Sequence, residues 1–135
     1  MVLFLVTHPP DPRPTLVVET TAHIDADAIE RLKQRMFGFG CPNGLLFDDE
    51  ECLILRDTYS SLDVDSLEEE ERVPVSRLLA RVPSRGRTID QRVCDWLQSM
   101  AASWNEALPP DDDVTAPFIT DIVPAISGSH IREVA

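Results

Sequence analysis

Four prolines crowd into six residues near the start of the chain (Pro9, Pro10, Pro12 and Pro14), between two runs of apolar and β-branched residues. Proline fixes φ and donates no backbone hydrogen bond, so His8–Pro14 can be neither helix nor central strand. The run before it, Val2–Thr7, reads as a buried strand, and Thr15–Ala22 reads as a second. Two strands joined by a stiff turn predict an antiparallel hairpin, and whatever follows must build outward from it.

A helix comes next. Asp25 can accept the free amides of a first turn, and Ile24 and Ile29 can staple it. Ile29, Leu32 and Met36 then recur at steps of three and four, which predicts one apolar stripe running to about Phe37. Gly38 and Gly40 end it. Gly44–Phe47 and Cys52–Asp57 flank the acidic tip Asp48–Glu51 and read as a second hairpin. Residues 60–74 read as an acidic connection, and Val75–Val82 as a short helix. Thr88-Ile89-Asp90-Gln91 is a capping box. It opens a long helix whose apolar face is Ile89, Val93, Trp96, Leu97, Met100 and Trp104, stopped by Pro109-Pro110. Residues 111–135 read as a solvated linker followed by an extended arm or edge strand, since Phe118–Ile126 is β-prone and Pro117 and Pro124 exclude a central strand. The order predicts one α/β (α+β) domain over residues 1–135, a mixed sheet of four or five strands flanked by helices.

The net charge is −12. That disfavours nucleic acid as a partner, because phosphate-binding proteins present a basic face. No apolar run is long enough to span a bilayer. Cys41, Cys52 and Cys94 are odd in number and form neither a CxxC pair nor a Cys-His cluster, so a reducing, cytoplasmic location fits best. His8, His23 and His130 do not fall at metal-ligand spacing. Ser127-Gly128-Ser129-His130 lacks the elbow motif of a serine hydrolase.

Two acids stand out: Asp11 in the proline turn and Glu19 inside the second strand. Carboxylates on neighbouring strands can grip a hard divalent cation. Pro10-Asp11, then Glu19-Thr20-Thr21, then a helix carrying Gln34, then Gly44–Phe47 and Leu53–Asp57, together resemble the restriction-endonuclease-like, PD-(D/E)XK superfamily of nucleases over residues 10–57. The resemblance implies a restriction-endonuclease-like fold, with Asp11 and Glu19 binding Mg2+ or Mn2+ for phosphodiester hydrolysis. It puts Thr21 where the family carries its lysine and Gln34 at the supporting helix position. Thr21 cannot carry charge. Lys33 is the only lysine in the chain, and it stands on the helix to which some members of the superfamily move theirs. Arg31 or Arg35 can substitute electrostatically, but a guanidinium is not a base.

Each residue also has a plainer reading. Asp11 suits a turn. Strand alternation gives Glu19 the same face as Val17, so if that face is buried Glu19 needs a partner or a metal. Lys33 and Gln34 suit the wet side of a helix. The absent motif lysine and the acidity favour a catalytically degenerate domain over an active enzyme. The alternative function is a non-enzymatic interaction module, homodimeric or partner-binding, joined through the Trp96/Trp104 helix or the C-terminal arm.

Overall fold

The computed structural model describes residues 1–108 and 118–134. Six strands form one mixed sheet in the spatial order β5-β4-β3-β2-β1-β6. Strand β1 (Leu3–Thr7) and strand β2 (Pro14–Thr20) form the expected antiparallel hairpin around the proline turn. Helix α1 (Ala26–Phe39) then crosses to strand β3 (Asn43–Phe47), which lies parallel to β2. Strand β4 (Glu51–Asp57) returns antiparallel.

Alternation along the central strands divides the interior into two layers. Leu5, Val17, Leu46, Leu53 and Leu55 meet Ala28, Leu32 and Met36 of α1 on one side of the sheet. Phe4, Val6, Leu16, Val18, Leu45, Phe47 and Ile54 meet the remaining helices on the other. Both faces are covered, which is why these strands read as near-continuous apolar runs.

Helix α1 is capped as its sequence demands. The Asp25 carboxylate accepts the Ala28 amide at 2.8 Å, and Gly40 ends the helix in the left-handed region at φ 65°. At Gly44 the helix and β3 approach closely: a Cβ there would lie 3.2 Å from Met36 Cγ, tighter still against the Met36 sulfur.

The acidic connection expected over residues 60–74 is ordered differently. After a short 3-10 turn at Val64–Ser66, Leu67–Pro74 forms strand β5, antiparallel to β4 at the sheet edge. Four consecutive glutamates hid the strand, because an edge strand needs little apolar alternation and is often protected by charge. Arg72 holds Glu51 and Glu69 there, at 3.2 and 3.0 Å.

Helix α2 (Val75–Leu78) and helix α3 (Ile89–Ala107) cover the second face. Both arms of the Thr88–Gln91 capping box are made, at 3.2 and 3.0 Å. Trp96 is fully buried, edge-on to Phe47 with ring centroids 5.7 Å apart. It is a core residue, so it is closed to any second chain. Ser103 breaks the helical backbone (φ −160°, ψ 78°), and beyond it Trp104 is 37% exposed instead of continuing the apolar face.

Residues 118–126 correct the expected edge strand. Phe118–Ile122 make a π-helical turn and Val123–Ile126 a short helix, α4. Pro124 fits its first turn, where a missing N–H costs nothing. Strand β6 (His130–Val134) then pairs antiparallel with β1 of its own chain. The end of the expected arm therefore closes this sheet. Pro109, Pro110, Asp111–Asp113 and Pro117 lie outside the described residues.

Candidate functional site

Glu19 is the natural starting point, because it is 0% exposed and charged. It sits near the C-terminal end of β2, paired with Leu3 on β1 and Leu46 on β3. Directly opposed residues share a face. The sheet neighbours of Glu19 on its own face are therefore Leu3, Leu46, Val17 and Thr21. None is acidic.

What meets the carboxylate comes from above. Arg31 Nε donates to Glu19 Oε1 at 2.9 Å, and Arg35 Nε lies 3.9 Å from Oε2. The two arginines are four residues apart on α1, hence on one helix face. Both guanidinium side chains stay about one-third exposed. Oε2 makes no hydrogen bond among the described residues, so the second half of the carboxylate is held by Coulomb attraction alone. The helix is tied to the sheet by a charge cluster set beneath its polar flank.

The other residues singled out by the sequence lie elsewhere. Asp11 is exposed in the hairpin turn, where it accepts the Arg13 amide at 3.0 Å and its own amide donates to His8 O at 3.1 Å. Pro14 to Glu19 is five strand steps, or roughly 16 Å, and Asp11 lies beyond Pro14. The carboxylates of Asp11 and Glu19 therefore do not converge. Lys33 is two residues from Arg31, about 200° around the helix axis at ~100° per residue. It cannot face Glu19 while Arg31 does. Gln34 donates to Glu30 at 3.0 Å on the exposed side of α1.

The Glu19-Thr20-Thr21 segment is split by the pleat. Thr20 points to the opposite face from Glu19, is buried, and is hydrogen-bonded to Asp90 in the first turn of α3. It also accepts the Val2 amide at 3.0 Å. Thr21 donates its amide to Phe47 O at 2.8 Å and its hydroxyl to His23 O at 3.3 Å. The position at which the resemblance would put a lysine is thus occupied by a strand-exit residue. Asp48 is the nearest acid in register, two residues past Leu46. Its oxygens accept Glu50, Glu51 and Ile24 amides at 2.8, 2.7 and 3.4 Å, which caps the β3–β4 turn.

These residues do not fit a divalent ion. Magnesium takes hard oxygen ligands in near-octahedral order, and here one carboxylate is engaged by cations instead. Among the described residues no group of three or more His, Cys, Asp or Glu side chains could hold a metal. The cysteines offer nothing reactive in its place. Burial pushes the Cys41 thiol up to about 11 and Cys52 well above its ordinary value, helped by Asp48. Cys94 is also raised, by partial burial and then by Asp95 and Glu133.

A surface depression of about 570 Å3 lies by the start of α3 between Arg85, Arg87, Asp90 and Asp95. Its charges are of both signs, and Arg87 is paired with Asp95. Among the described residues no helix is long and apolar enough to cross a membrane. Comparison with models of known families, with curated proteins and with solved structures found no match in any of the three.

Proposed function

We propose that this chain is a restriction-endonuclease-like domain without metal chemistry, in which Glu19 anchors helix α1 to the sheet. The parallel β2–α1–β3 crossover, flanked by the antiparallel strands β1 and β4, supports the relationship. The observation that carries the loss of activity is the pairing of Glu19 with Arg31 and Arg35 on a face whose sheet neighbours are apolar or Thr21. A nucleophilic water needs a metal or a base to activate it. Asp11 lies beyond Pro14, itself roughly 16 Å from Glu19 by strand rise, and Lys33 is about 200° around the helix axis from Arg31. A carboxylate that once gripped a cation in solution would, in this reading, grip two cations of its own chain.

The deciding experiment is calorimetric titration with Mn2+ of the wild type and of Glu19→Gln. The expected result is no saturable heat from either protein at millimolar metal. A saturable heat in the wild type that Glu19→Gln abolishes would restore the catalytic reading.

A further inference from the structure

The opposite end of the sheet, where β3 begins and β4 ends, carries a cluster of exposed apolar side chains. Tyr59 is 73% exposed, Leu62 100% and Phe37 51%. All three line one depression of about 240 Å3 floored by Met36 and Leu67. Tyr59 also borders a second depression, about 350 Å3, lined by Glu68, Glu69 and Glu70 of β5. The loop that presents these side chains is built, not frayed. Tyr59 holds φ at +57°, a region that costs a bulky residue energy. It is kept there by the Asp57 carboxylate, which accepts the Tyr59 amide at 2.8 Å. The Thr58 amide and hydroxyl both donate to Ser66 O at 2.8 Å.

The rim is acidic. Asp57, Asp63 and Glu68 have no ion-pair partner among the described residues, while Arg56 is already shared between Glu70 and Asp121. Hydrogen bonds from the Ser61 hydroxyl and then the Asp65 amide lower the pKa of Asp63, which keeps it charged. Beside this rim runs β5, the outermost strand of the sheet on that side among the described residues. An apolar floor with a negative rim selects an occupant of opposite pattern. A second copy of the chain is disfavoured, since it would bring another −12 to the same rim.

We propose that the Phe37–Tyr59–Leu62 groove docks a basic segment of a partner protein that carries a bulky apolar anchor. The anchor enters the depression between Phe37 and Leu62. Its flanking Arg or Lys residues meet Asp57, Asp63 and Glu68, and one of them stacks on the Tyr59 ring. Neither Glu19 nor its partners Arg31 and Arg35 line the groove, so this proposal and the reading of Glu19 fail independently: a metal result leaves the groove untouched.

The test is selection of a random peptide display library on the full-length protein, followed by fluorescence titration of the enriched peptides. Enriched sequences are expected to place Arg or Lys beside a bulky apolar residue, with a Kd that rises with salt. Tyr59→Gly and Leu62→Ser should each weaken binding about tenfold or more without lowering the thermal midpoint. Glycine is at ease at positive φ, and Leu62 is wholly exposed, so neither variant threatens the fold. The proposal is overturned if nothing is enriched, if the winners lack basic residues, or if both variants bind as the wild type does. A dimer in sedimentation velocity that Leu62→Ser dissolves would also overturn it, making a second copy the occupant.

Discussion

The ion-pair cluster under α1 predicts an asymmetry between its two sides. In the wild type the Glu19 carboxylate is 0% exposed, and the double variant Arg31→Ala/Arg35→Ala takes away both of its cations. Breaking a buried pair by removing its partner costs about 3–5 kcal/mol, because the remaining charge is neither solvated nor compensated. Glu19→Gln is a different perturbation. The arginine heads are about one-third exposed and can hydrate, and the neutral amide oxygen can still accept from Arg31. The expected loss is about 1 kcal/mol, the net worth of one hydrogen bond. For a chain of this length each kcal/mol moves Tm by roughly 3–4 °C. The double variant should therefore melt about 10–20 °C below the wild type, and Glu19→Gln about 3–4 °C below. Adding Glu19→Leu to the double variant should recover most of the loss, since no charge is then left buried. Urea unfolding followed by far-UV circular dichroism reads all four proteins. Equal costs for the double variant and Glu19→Gln, or no recovery with Glu19→Leu, would refute the reasoning.

Three further outcomes follow from local geometry. Thr88→Ala removes the acceptor for the Gln91 amide in the capping box and should cost about 1 kcal/mol by chemical denaturation. Gly44→Ala drives a methyl group into Met36 and should cost about 1–3 kcal/mol, and the Gly44→Ala/Met36→Ala pair should cost less than the sum of the two single variants. Cys41 has a pKa of about 11 in the folded chain against an ordinary 9.0. A raised thiol favours the folded state below the ordinary value, and that contribution is lost as pH rises from 9.0 through about 11. About 2 kcal/mol should disappear across that window, and Cys41→Ala should make the slope of stability against pH shallower, leaving the part that Cys52 and Cys94 supply.

The strand pattern of residues 2–20, the Asp25 cap and the Thr88 box were readable because each depends on chemistry within a few residues. Proline geometry, strand alternation and capping are local, and the structure places each where the chain order demands. Glu19 was legible to the same degree: alternation put it on the face of Val17, and a buried face required a partner. Strand β5 was not legible. Its four glutamates carry no strand signal of their own, and it exists because β4 offers an unpaired edge. Residues 118–126 went the other way, since their β-prone side chains pack as two short helical turns against Trp96 and the second face of the sheet.

Local chemistry along the chain was enough for a mixed α/β order built on a proline-tipped hairpin, and for placing Glu19 on the face of Val17. That this face is buried, and what meets the carboxylate there, came from the packing of α1 on the sheet. Eight residues separate Asp11 from Glu19 along the chain, yet strand rise carries them apart, while the turn of α1 brings Arg31 and Arg35 over the carboxylate and takes Lys33 away. Spacing in sequence is a distance only within one element. Between elements, register and helix phase set it. The same rule made Phe37, Tyr59 and Leu62 one surface, because the end of α1 and the loop after β4 meet where β3 begins.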